Sequence, residues 1–258
     1  MHTPKRFVFL NNAMKQALIA LSVSLIGMAC GGSNTPSNVD SPGQDKTPKT
    51  KVLEAGAAML QAKKPIDKLN IYLDGFHFYN GHMQSQMEAH HYCSKLNEDV
   101  TQCVIFDGNG DSAKIMGVEY IVSEKLFKTL PADEKKLWHS HRYEVKSGSL
   151  VAPGLPNLAE HELMETIVTT YGKTWHTWHT DQDLALPYGS PALMMGFTQD
   201  GQLHKSLEQD RDHRFKLSTA DKKKNRADIP ERPIQPGADA WQTGAIVQLP
   251  ALTERTHH

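Results

Sequence analysis

An α+β fold is predicted for this chain: a single domain with a small, mainly antiparallel sheet flanked by helices and followed by a proline-rich C-terminal tail. Three observations carry that prediction. Residues 87–96 and 100–107 alternate apolar and polar side chains on either side of Asn97–Glu98–Asp99, the pattern of a hairpin. Residues 158–171 carry Leu158, Leu163, Met164, Ile167, Val168 and Tyr171 at helical spacing. Prolines at 230, 233, 236 and 250 favour an extended tail wrapping the domain.

The elements follow in chain order. Lys5 and Arg6 precede an apolar run over 17–29, which ends at Cys30–Gly31–Gly32. Its 13 residues fall short of the ~20 that span a bilayer, so residues 1–29 are expected to be a cleaved signal peptide. The Ala29–Cys30 junction resembles a bacterial lipobox, with Gly27 where leucine is usual. That resemblance implies diacylation of Cys30, and two acyl chains hold a membrane stably where one does not. Gly31 in place of aspartate resembles the outer-membrane sorting pattern, so the expected location is a bacterial cell envelope, at the outer membrane and facing the periplasm. Residues 30–50 then read as a lipidated cysteine and flexible linker, too polar to bury surface. Residues 51–258 form the domain.

Within the domain, 114–123 is expected to be a third strand and 132–138 a short helix after Pro131. The helix over 158–171 is expected to stop at Gly172. Further helices are expected over 207–215 and 218–226, the latter with a capped start at Ser218. The Lys222–Lys223–Lys224 cluster reads as a solvated helix face, and Asp107–Gly108–Asn109–Gly110–Asp111 as a turn lacking the spacing of a calcium loop. The chain has 28 basic and 29 acidic residues, and the leader takes three basic and no acidic ones with it. A mildly acidic mature chain argues against nucleic acid as a partner and against a membrane hold by net charge.

A hairpin centred on Glu98 sets Cys93 opposite Cys103, within disulfide reach if the pair is not hydrogen-bonded. A one-residue slip would put the thiols on opposite faces, so a bridge and two buried thiols both stay open.

The main chemical signal is fourteen histidines. On a strand, His139 and His141 share a face, and Glu144 nearby could complete a set of ligands for one divalent ion. This resembles half of the cupin metal motif, one residue short in its spacing to the glutamate and without a second half. His176 and His179 share a face only on a helical turn. The bland alternative for each of these rings is a core-edge imidazole satisfied by local partners.

Several blocks in one order resemble the oil-body-associated protein family of plants. They are His90–Val100, Gln102–Asp107, Gly117–Ile121, Leu137–His141, Glu144–Gly148 and Tyr171–Lys173. The resemblance implies a lipid-associated role and no known catalysis or cofactor. It carries over to His91, Cys93, Cys103, Glu119, His139, His141, Glu144 and His176. Two readings follow. In the first, a non-enzymatic envelope lipoprotein binds lipid or a protein partner through an exposed apolar patch. In the second, a metal-dependent enzyme holds one divalent ion with His139, His141 and Glu144, joined by His91 or His176, with Glu119 as base or ligand. No G-x-S-x-G, H-E-x-x-H or phosphate-cradling glycine loop offers another chemistry.

Overall fold

The computed structural model describes residues 34–249. Seven strands run β1 (Ile71–Tyr79), β2 (His82–Asn97), β3 (Val100–Phe106), β4 (Ile115–Ser123), β5 (His139–Ser140), β6 (Thr170–His176) and β7 (Ala192–Met195). Their order is β4-β3-β2-β1-β7-β6, and β6 pairs back onto β4, so six strands close into an antiparallel barrel. The short β5 extends the β7 side of β6. The expectation of a small sheet is thereby corrected: α+β holds, but closure removes the free edges. Closure was hidden because β1 and β7 carry no clean alternation. In β1, Asp74 and Gly75 interrupt the apolar run, and all seven residues from Leu73 to Tyr79 are buried.

The β2–β3 hairpin turns at Glu98–Asp99, and Cys93 lies opposite Cys103. The two are joined by a disulfide with Cα atoms 4.0 Å apart. With Leu73, Ile121, Met164 and Ile167 they form the core at one end of the barrel.

Eight helices accompany the described strands: α1 (Pro48–Leu60), α2 (Lys64–Asp67), α3 (Glu124–Thr129), α4 (Ala132–Lys135), α5 (Arg142–Ser147), α6 (Asn157–Ile167), α7 (Lys205–Phe215) and α8 (Thr219–Asn225). Ser123 and Ser218 cap α3 and α8 by accepting from Leu126 N and Asp221 N. Helix α5 ends at Gly148, where φ is +85° and a Cβ would lie 2.4 Å from Thr219 O, so glycine alone suits that position. Helix α6 ends earlier than expected. The chain turns into β6 at Thr170, and Gly172 sits inside a strand rather than stopping a helix.

Two further expectations are revised. Residues 34–39 do not form a free spacer: Thr35 N donates to Asn109 Oδ1 at 2.6 Å, Ser37 Oγ to Asp107 Oδ2 at 2.8 Å, and Val39 is buried. Short polar side chains suit this role because the Asp107–Asp111 turn leaves acceptors to be satisfied. The basic cluster on α8 is not wholly solvated either. Lys222 pairs with the buried Glu160, and Arg226 beyond it is buried, donating to Glu160, Val145 O and Leu150 O.

Beyond α8, Ile229, Ile234, Ala238, Trp241 and Val247 pack against the core clusters, and Asp239 joins this stretch to β5. Asp239 Oδ1 accepts Ser140 N–H at 2.9 Å and Oδ2 accepts the Ser140 hydroxyl at 2.7 Å. Burial outweighs those bonds and raises its pKa to about 6. A raised carboxyl favours folding below its unfolded pKa, near 4, and loses that contribution as pH rises through about 6. Two units correspond to about 3 kcal/mol. Asp239→Asn tolerates the same left-handed backbone (φ +52°) and cannot titrate. Urea titrations at pH 4 and pH 7.5 are therefore expected to show wild type losing about 3 kcal/mol relative to the variant between the two.

Candidate metal centre inside the barrel

Antiparallel register decides which side chains face inward, because directly paired residues share a face. Leu73 pairs with His91, His91 with Ile105, and Cys93 with Cys103. Cys103 pairs in turn with Glu119, Ile105 with Gly117, Gly117 with His176, and Glu119 with Thr174. In β1, His77 lies on the same face as Leu73. Around the closed barrel this one face therefore carries His77, His91, Glu119 and His176. His139 enters from β5 opposite Gly172, and His141 follows as the residue preceding α5, which supplies Glu144.

The cluster centres on Glu119. Its Oε2 lies 2.9 Å from His91 Nε2 and 4.0 Å from His77 Nε2, and its Oε1 lies 3.1 Å from His141 Nε2 and 3.5 Å from His139 Nε2. His77 Nδ1 is 3.4 Å from His176 Nε2. His77, Glu119 and His139 bring one ligand atom each within 4.8 Å of one another, and so do His139, His141 and Glu144. None of the seven residues is more than 4% exposed. The cluster therefore lies in the interior rather than at the core edge, though His91 and His141 each keep a local partner for Nδ1. Both nitrogens of His139, Nδ1 of His176 and Oε2 of Glu144 have no hydrogen-bond partner.

Two tautomers follow from the surroundings. His91 Nδ1 sits 3.0 Å from Ala89 O, and a carbonyl only accepts, so Nδ1 carries the hydrogen. The Thr170 hydroxyl donates to Ile167 O at 2.7 Å, so it must accept from His141 Nδ1 at 2.8 Å. With Nδ1 committed on both rings, Nε2 is the atom that each turns to the Glu119 carboxylate. Burial would raise the pKa of Glu119, but hydrogen bonds to His141 and His91 and the nearby rings outweigh it and hold it well below the usual carboxylate range. Burial, above all, drives His77 well down and His139 and His176 to about 3, so these rings are neutral. Glu144 is the counterpart: burial, then Glu119 and Asp239, push it well above the ordinary carboxyl range, so it keeps its proton.

Glycines make room for this cluster. A Cβ on Gly172 would lie 2.0 Å from Glu119 Oε1 and 2.8 Å from His139 Nε2; one on Gly196 would lie 2.9 Å from Glu144 Oε2.

All six sequence candidates, His91, Glu119, His139, His141, Glu144 and His176, converge here. His179 lies apart, bonded through Nδ1 to Tyr79 and through Nε2 to Ser190 O. His77 is the residue that sequence reasoning left out of the set, and β1 parity is the signal that reaches it once β1 is recognised. A second outer-face group, Asp74, Glu88 and His90, is engaged by Arg211 and Arg214 and reads as an ion-pair network. Cys30 lies outside the described residues.

Comparison with known proteins places these residues in context. Residues 63–230 match the family model described as protein of unknown function (DUF1264). Oil body-associated protein 1A of Zea mays is 44% identical, over 84% of this chain and 94% of the relative. Oil body-associated proteins 1B and 2A of Arabidopsis thaliana are each 41% identical, over 84% and 82% of the chain and 91% and 85% of their own lengths. No solved structure matches. These relatives correct the expected location. They are plant proteins named for oil bodies, not bacterial envelope proteins, and they overturn an outer-membrane placement that rested on a few residues around Cys30, one of them atypical.

Proposed function

The chain belongs to the DUF1264 family, and we propose that it works at a lipid surface and that its barrel binds one divalent first-row metal ion in the buried cluster, with ligands drawn from His77, His91, Glu119, His139, His141 and Glu144. The lipid part takes its support from the relatives' names. The metal part is carried by one observation: two imidazoles whose outer Nδ1–H groups are already committed turn Nε2 to one carboxylate in a buried site, beside His139, whose two ring nitrogens have no partner. Two acceptors facing each other repel, so a cation, or protons on the rings or on the carboxyl, must lie between them. Two imidazolium charges beside neutral rings 5.0 and 5.1 Å away would be costly to bury. A divalent ion in this cluster would meet ligand atoms already close together, since His139 lies within 4.8 Å both of His77 and Glu119 and of His141 and Glu144. Histidines that ligate metals ordinarily donate their other N–H to a carbonyl or hydroxyl, as Ala89 O and Thr170 Oγ1 accept here. Nitrogen and carboxylate ligands suit zinc, iron, manganese or nickel rather than calcium.

The near-complete burial favours a closed ion that organises the barrel over one that works on bulky substrates. The enzymatic reading has one specific support, the protonated, unpartnered Glu144 beside His139, placed where an acid could deliver a proton to a small ligand.

Elemental analysis of the full chain, purified without chelators, tests the proposal. The expected result is about one ion per chain, falling at least tenfold in a folded His91→Ala/His141→Ala variant. Folded wild type that is metal-free, and whose melting temperature does not rise with zinc, manganese, iron or nickel, would overturn it.

A further inference from the structure

Helix α1 is unusual in burying none of its residues. Its large apolar side chains are nonetheless clustered: Val52, Met59 and Leu60 fall at i, i+7 and i+8, with Gly56 between them and Leu53 on the flank. Val52 is 71%, Leu53 63%, Met59 86% and Leu60 87% exposed. Single exposed leucines need no explanation, but a whole helical face does. The same apolar character continues into α2, where Ile66 is 63% exposed. Ile66 and Leu69 there border a groove of about 350 Å³ on the outside of the barrel, with Val104, Phe106 and Ile115 on its other wall.

Charge says what would cover this surface. Residues 46–68 hold six lysines, at 46, 49, 51, 63, 64 and 68, against Glu54 and Asp67, in a chain whose net charge is −1. The chain-wide balance conceals this local excess. A helix with one apolar face, bracketed by lysines, suits the boundary between acyl chains and anionic headgroups, where each part meets its complement.

We propose that α1, with the adjoining Ile66, is the segment that inserts into an anionic lipid surface, its lysines on the headgroups and Leu53, Met59 and Leu60 in the acyl layer. This rests on the lipid half of the functional reading and is independent of the metal half. It also locates the contact outside the barrel, so the buried cluster need not open for the protein to bind lipid.

Hydrogen exchange of the full chain, alone and with vesicles of phosphatidylcholine containing phosphatidylglycerol, tests it segment by segment. Exchange over 48–60 is expected to slow about tenfold or more with anionic vesicles and much less with phosphatidylcholine alone. The Leu53→Glu/Leu60→Glu variant is expected to lose that protection, since each leucine withdrawn from the acyl layer weakens insertion about tenfold or more. Both positions are exposed, so the barrel should keep its wild-type exchange pattern. A chain that co-sediments with the vesicles while 48–60 exchanges at its free rate would overturn the assignment to α1 and leave the lipid reading standing. A chain that does not co-sediment would overturn both.

Discussion

Gly172→Ala is expected to destabilise the protein by about 3 kcal/mol or more and to abolish retention of the metal ion proposed for the cluster. The added Cβ would stand 2.0 Å from Glu119 Oε1, far inside van der Waals contact, and 2.8 Å from His139 Nε2. Neither neighbour can swing into solvent, because both are buried and both strands are paired along their lengths. Something must give: Glu119 moves off His141, or β6 moves off β4 and β5. Gly56→Ala is the control, since nothing lies within 4 Å of its Cβ and alanine favours a helix; it is expected to be neutral or stabilising by up to about 1 kcal/mol. Urea midpoints and metal content of the two variants check this together. A Gly172→Ala protein with wild-type stability would mean that Glu119 does not lie against β6.

Arg211→Met is expected to cost about 3–5 kcal/mol at pH 7.5, the range for stranding one member of a buried ion pair. Arg211 is fully buried against the Phe76 ring. Its Nη1 donates to Asp74 Oδ1 at 3.0 Å and Ser149 O at 2.9 Å, and its Nη2 to the Thr219 hydroxyl at 2.9 Å. It thus ties β1 to α7, to the start of α8 and to the loop after α5. Methionine fills much of the volume but leaves the buried Asp74 carboxyl without its guanidinium partner. Burial and Glu88 already push the Asp74 carboxyl well up, with Arg211 as the main restraint. Without that guanidinium Asp74 would take up a proton more readily, so the cost should shrink as pH falls. Denaturation at pH 7.5 and pH 5 measures both points, and Arg211→Met/Asp74→Asn should recover part of the loss. An Arg211→Met cost under about 1 kcal/mol at pH 7.5 would show that the pair is not what holds α7 to the barrel.

These two residues show where sequence reading runs out. Gly172 follows an apolar helical run and reads naturally as its stop, yet it is an interior strand position kept bare for a carboxylate on another strand. Arg211 sits in a charged helix that looks solvated throughout, while its partner is 137 residues away. His77 stays out of the candidate ligand set for a related reason: β1 is buried on both faces, so its parity is invisible until its pairing with β2 is known.

What the sequence by itself determined was local. The β2–β3 hairpin and its turn, the third strand and the cap at Ser218 all rest on side chains within a few residues of one another. It also marked six of the seven residues of the cluster as candidates, without showing that they meet. Tertiary structure decided the rest: that the sheet closes, that alternate residues of five strands share one interior, and that Glu119 stands among four imidazoles. The physical reason is that strand register is a pairing between distant segments. A one-residue slip in any pair would turn these side chains to the outside, and no periodicity within a single strand records which partner it will have.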